Sequence, residues 1–454
     1  MESRNNPQSL ALDARSEEVQ QSTKRGISRR NFVQTSAGVV VAGSLLGKRA
    51  FAAPKPLRIG YISPATGPLA PFSGADAFII EEVRKKFQGG IMSGGTTRPI
   101  EILVRDSQSN PNRCAEVAAE LIKSDKVDLM LVASTPDTVN PVADQCEVNG
   151  VPCVSTDAPW TPYFFGRGGN PAKGFDWTYH FFFGTDNISQ IMCDIFDLLP
   201  TNKVVGLLLA DDVEGNMLAD PEHGYPPLFT ARGFKIVDSG RFLNNTNDYS
   251  AQIAAFKKGN CEILHGVLPL PTFSNFWAQA AQQGYKPKIA TIGKALGFPS
   301  ALESLGPRGK YLTAEIQWSP AVPFNSSLTG QNARQLCDAY EGYSHKEWTE
   351  ALGLRYALLE VAMDVLKRAQ DPDSAASVIE AVRTTRLTTV VGPVAWQGAP
   401  PNEWTQLPVK NVCTTPVVAG QWVPGKKWMY DLVVVDNRRY PLIPVQRKME
   451  PMPA

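Results

Sequence analysis

"VDLMLVASTPDTVNPVADQCEVNGVPCVST", residues Val127–Thr156, holds two apolar runs with a helix-like stretch between them. The first run, Val127–Ser134, is continuous rather than alternating, which is the pattern of a strand covered on both faces of a parallel sheet. Around Thr138–Gly150 the spacing turns helical, and Val151–Thr156 reads as a second short strand. Strand, helix, strand is the building unit of a doubly wound α/β fold.

The same rhythm continues upstream. Pro56–Ser63 is a short apolar strand, followed by the loop "GPLAPFSG" and a helix that puts Ala75, Phe78, Ile79, Val83 and Phe87 on one face. "PIEILVRD", ending at Asp106, is the next strand, and Asn110-Pro111 open a helix. Downstream, the aromatic segment "FDWTYHFFFGTDN" interrupts the alternation, which then restarts. Strands are expected at "KVVGLLLADD", "KIVDSGRFL", "CEILHGVLP" and "KIATIG", with helices such as "YSAQIAAFKK" and "FSNFWAQAAQQG" between them. A further strand, "YLTAEIQWS", and helical stretches at 331–348, 350–370 and 374–385 follow. The fold class is therefore α/β, with two doubly wound units in tandem and extra C-terminal elements.

The N-terminus has a different character. Arg29-Arg30, followed by Asn31-Phe32-Val33, resembles the twin-arginine export signal. The apolar run Val39–Leu46 is too short for a bilayer, which takes about 20 apolar residues. Ala50-Phe51-Ala52 has the small-residue form of a cleavage site. Residues 1–52 are expected to be a signal peptide with a long polar lead, and the mature chain to be periplasmic.

Composition narrows the function classes. Among 454 residues, 45 basic and 44 acidic side chains nearly cancel, which gives no basis for a nucleic-acid or membrane-surface partner. The four histidines lie far apart, none at metal-ligand spacing, so no metal and no cofactor is expected. The chain contains no C-x-x-C, no G-x-S-x-G elbow and no phosphate loop. The pair Asp211-Asp212 sits at a strand end, where loop carboxylates are common. Nothing in these patterns calls for an enzyme. Seven cysteines in an exported chain make disulfides possible. Cys146 and Cys153 are the candidate pair, with two buried free thiols as the equal alternative.

"IGYISPATGPLAPFSGADAF", "DSQSNPNRCAEVAAELI" and "VNGVPCVSTDAP", in that order, resemble the solute-binding proteins of bacterial ABC importers. The branch is the type I periplasmic group that includes binders of branched-chain amino acids, amides and urea. The resemblance runs from about Pro56 to about Asn437. It implies two Rossmann-like lobes joined by a three-strand hinge, closing on a small solute. The lobes it implies are 56–181 with 294–408, and 182–293 with 409–440, leaving 441–454 as a tail. Crossovers are expected near Phe181–Gly184, near Lys294 and near Leu407–Val412. The implied partners are a small-molecule solute and the permease and ATPase complex at the inner membrane, with the carrier itself monomeric. An exported enzyme, or a sensory ligand-binding protein on the same fold, is the alternative.

Carrying the family pattern across gives candidates at the strand ends, where open α/β sheets bind ligands. Phe72 falls where the family often sets an aromatic ring. Ser134 and Thr135 precede a helix N-terminus, where amino-acid binders grip a carboxylate; Pro136 and Asp137 depart from that pattern. Thr156, Asp157 and Trp160 follow the next strand, and Asp211, Glu214 and Leu268 are the second-lobe candidates. At Lys294 the amino-acid binders carry an acidic residue for the ligand ammonium, so the charge is reversed here. Three readings follow: an organic anion on Lys294, an internal pair with Asp157 or Glu214, or a lysine facing solvent.

Overall fold

The computed structural model describes residues 54–243, 245–396 and 408–453. Arg29, Arg30 and the expected signal peptide lie outside the described residues. In the first lobe the strands are β1 (Leu57–Ser63), the hairpin pair β2 (Ile91–Ser93) and β3 (Thr96–Arg98), β4 (Ile100–Asp106), β5 (Leu129–Ala133), β6 (Cys153–Thr156) and β7 (Thr178–Phe181). The second lobe contributes β8 (Val204–Ala210), β9 (Lys235–Phe242), β10 (Ile263–Leu268), β11 (Ile289–Lys294) and β12 (Thr313–Ile316). A hairpin, β13 (Arg386–Thr389) with β14 (Gly392–Ala395), precedes β15 (Val412–Cys413), β16 (Val418–Pro424) and β17 (Tyr430–Asp436).

These strands form two main sheets. The first has the order β15-β7-β6-β5-β1-β4 and is parallel throughout. The second runs β17-β16-β12-β11-β10-β8-β9, with β16 and β17 antiparallel at one edge. Every residue of β5 is buried, as its unbroken apolar run requires. Helix Pro111–Lys123 starts where Asn110 accepts from the backbone N–H groups of Asn112 and Arg113, at 2.9 and 3.1 Å. Helix Pro136–Asn149 stops at Gly150, whose φ of 67° is the left-handed turn that glycine takes without strain.

The chain passes between the sheets three times: after Phe181, after Ile316 and after Cys413. Two of the expected boundaries are thereby corrected. The chain does not leave the second lobe at Lys294, because β12 lies beside β11 in the second sheet. Only after Ile316 does it return, sending the long helix Glu350–Arg368 into the first lobe. That helix is buried almost end to end, and the Trp318 ring lies against Gly353 so closely that any Cβ there would meet it. The last passage also comes later than expected, since Val412 and Cys413 pair with His180 and Phe181 of β7. Residues 441–453 are not a loose tail: Ile443 and Met449 are buried, and the Glu450 N–H donates to Gln421 at 2.9 Å.

All seven cysteines are buried free thiols. The disulfide alternative for Cys146 and Cys153 is corrected accordingly. The two side chains interact as thiols inside the first-lobe core, and burial pushes the Cys146 thiol well up.

Candidate functional site

The interlobe cavity lies at the carboxyl ends of strands from both sheets. Thr135 follows β5, Asp157 follows β6, and Phe182 and Phe183 follow β7. From the second lobe come Val267 near the end of β10, Lys294 at the end of β11, and Glu315 and Gln317 at β12. The open space between atoms, mouth and adjoining solvent included, is about 510 Å3. Among the five sequence candidates at its wall are Asp157 and Lys294, whose φ values of 69° and 65° are left-handed. Non-glycine residues seldom hold that conformation, and it concentrates at functional sites.

Lys294 is internally paired. Its Nζ lies 2.9 Å from Glu214 Oε2 and 3.3 Å from Asp212 Oδ2. Burial alone would drive this ammonium down; Glu214, Asp212 and Asp137 outweigh burial and hold it above its ordinary value. Asp157 is not its partner. That carboxylate accepts from Arg355 Nε at 3.0 Å, and Arg355 Nη1 also meets Asp76 at 2.9 Å and Ser63 at 2.7 Å. Arg355 is fully buried under the first-lobe wall of the cavity, and its remaining terminal nitrogen donates to the Ala133 carbonyl at 2.7 Å. Even so, burial pushes the Asp157 carboxyl up to about 6 against the pull of Arg355.

Phe72, Thr135, Asp157, Glu214 and Lys294 stand around the cavity; the other five candidates stand outside its lining. Ser134 is buried with its hydroxyl unpartnered, and Thr156 donates its hydroxyl to the Phe181 carbonyl at 2.7 Å. Trp160 is packed into the first-lobe core rather than forming a wall. Asp211 turns outward and accepts from Asn216 Nδ2 at 2.8 Å, while its neighbour Asp212 caps the helix Val213–Leu218 and faces Lys294. Leu268 is core, and Val267 lines the cavity in its place. Sequence reasoning missed His265, Glu315 and Arg355. The available signal was a lone ionisable side chain within the apolar strands at His265 and Glu315; Arg355, on a helix with several charges, carried no such signal.

Contacts between the lobes among the described residues include the following. Phe72 of the first lobe packs edge-on against Phe298 of the second, with ring centroids 4.8 Å apart. Asp137 accepts from the Val213 N–H at 3.3 Å. Lys427 in the turn between β16 and β17 reaches Glu341 of helix Ala333–Ser344 at 2.6 Å.

A lined cavity between two α/β lobes joined by three chain passages is the build of a hinged solute binder. The family model described as "Periplasmic binding protein" matches residues 56–407, and the chain belongs to that family. Its function, as that family's description has it, is the binding of a solute. Similar solved structures include a leucine-binding protein from Thermotoga maritima, 20% identical, TM-score 0.66, covering 84% of this chain and 99% of that one. A branched-chain amino acid transporter substrate-binding protein from Streptococcus pneumoniae, in complex with isoleucine, is 16% identical, TM-score 0.65, over 84% and 99%. An ABC transporter solute-binding protein from Rhodopseudomonas palustris, in complex with 3,4-dihydroxybenzoic acid, is 18% identical, TM-score 0.65, over 83% and 95%. At these identities the likeness speaks for the fold. No helix among the described residues is long and apolar enough to cross a membrane.

Proposed function

We propose that this chain is exported through the twin-arginine route and works in the periplasm as a monomeric carrier. It binds an amino-acid-like or aromatic solute with a largely apolar body, delivers it unchanged to a membrane permease driven by an ATPase, and catalyses no reaction. The observation that carries this reading is the interlobe cavity, apolar on one side through Phe182, Phe183, Ile188 and Met192, polar on the other. Such a division suits a solute with one apolar and one polar end. The leucine-binding protein and the complexes with isoleucine and 3,4-dihydroxybenzoic acid among the similar structures point to the same kind of body. The internal pairing of Lys294 withdraws the argument for an anion from charge reversal at that position.

The test is a thermal-shift screen of the mature chain against amino acids, aromatic acids and amides, with small-angle scattering on each hit. A solute at 100 times its dissociation constant adds about 2.7 kcal/mol, and closure compacts the molecule. Recovery of a chemically altered solute would favour the enzyme reading. For export, replacing Arg29 and Arg30 by lysine should strand the chain inside the cell; undiminished periplasmic protein would refute that route.

A further inference from the structure

The polar side of the cavity has an imbalance that the carrier reading does not use. Asp157 Oδ1 and Glu315 Oε2 are buried without a hydrogen-bond partner among the described residues. Both residues line the cavity, one from each lobe, and both are more than nine-tenths buried. A third orphan is independent of the carboxylates. His265 is fully buried at the cavity wall, and its Nδ1 lies 3.0 Å from the Thr291 carbonyl. That nitrogen must carry the proton, so Nε2, which is unpartnered, is left as an acceptor. Behind them Glu350 Oε1 is another orphan, with Glu315 and Asp157 as electrostatic neighbours.

The charges nearby do not offset these groups. Lys294 is committed to Glu214 and Asp212, and Asp137 adds a further negative neighbour. Arg355 is shared between Asp157 and Asp76. Thr135, Tyr225 and Gln317 are neutral lining groups. Buried acceptors are costly unless a donor meets them, and here the missing partner is a donor with positive charge.

Resting on the carrier reading, we propose that the solute carries a positively charged nitrogen, held by the acceptor set Asp157 Oδ1, Glu315 Oε2 and His265 Nε2. A solute bearing only a carboxylate would bring a further negative charge to a site that already holds too many. The apolar side, with Phe182 and Phe183, then receives the solute's hydrocarbon or aromatic body. Burial holds the Glu315 carboxyl up, at about 7, so part of the population is protonated near neutrality. A cation arriving there displaces that proton.

The experiment uses matched probes: phenethylamine, hydrocinnamate and phenylalanine, then isoamylamine, isocaproate and leucine, screened by thermal shift and calorimetry on the mature chain. Stabilisation is expected only from members with a protonated nitrogen. Calorimetry in two buffers of different ionisation heat is expected to show proton release on binding the best of them. Glu315→Gln, which breaks no ion pair, is expected to weaken that member about tenfold or more, as for loss of a hydrogen bond to a charged group, and to reduce the release. Binding of the simple carboxylates as tight as the nitrogen-bearing members overturns the inference, as does an affinity indifferent to Glu315→Gln. If only carboxylates bind, the carrier reading stands and this inference falls. If no probe binds, this inference also falls, and scattering with hits from the wider screen decides the carrier reading separately.

Discussion

Lys294 Nζ lies 2.9 Å from Glu214 Oε2, and both side chains are only 7% exposed. A pair sealed this way is held by its geometry rather than by net gain, since removing one partner leaves the other charge buried and alone. Lys294→Met is therefore expected to destabilise the chain by about 3–5 kcal/mol. Urea unfolding of Lys294→Met, Glu214→Gln and the double variant checks this. The double variant should recover only part of the loss, since Asp212 loses the Lys294 charge as well; strict additivity of the two single losses would mean the groups do not interact.

Arg355 makes a second prediction. It binds Asp157, Asp76, Ser63 and the Ala133 carbonyl from one buried guanidinium. Arg355→Met strands two carboxylates in the first lobe and should cost about 3–5 kcal/mol. Arg355→Lys keeps the charge but not the fork of donors, so it should fall between wild type and Met. A Met variant melting with the wild type would show that the network is not what supports this wall.

The tandem α/β pattern was legible because buried parallel strands leave unbroken apolar runs, as in Leu129–Ala133. What the pattern did not carry was which sheet a strand joins. β12 pairs with β11 across a short helical connection, at Thr291 and Thr313, and whether the chain crosses over before or after such a strand leaves no local signature. The site was half legible for the same reason. Strand ends are visible in sequence, but whether Asp211 or Asp212 turns inward depends on how the backbone leaves β8. Glu315 and Arg355 gain their meaning only from partners hundreds of residues away or from the lack of any.

The thiols give a simple check. With all seven cysteines free and buried, the native chain should react slowly with a thiol reagent, since burial holds Cys146, Cys193 and Cys337 well above the ordinary thiol range. Denatured without reductant, the purified protein should release seven reactive thiols. A count of five would place one disulfide in the chain, with Cys146 and Cys153 the first pair to map.

Glu315 also fixes how stability changes with pH. Burial raises its carboxyl from the ordinary 4.5 to about 7, so between those values the native chain binds more protons than the unfolded one. Its contribution is fully present below about 4.5 and is lost as pH rises through about 7. The size is on the order of 3 kcal/mol at about 1.4 kcal/mol per unit. Asp157, pushed up to about 6, acts with the same sign. His265 acts oppositely: burial lowers it to about 4, so it favours the folded state at higher pH. Comparing wild type with Glu315→Gln at each pH cancels both. Urea midpoints from pH 5 to pH 8 should show the wild type losing stability relative to the variant as pH rises. A difference that stays flat over that range would mean the Glu315 carboxyl does not titrate there, and the displaced proton expected on solute binding would have no source at this residue.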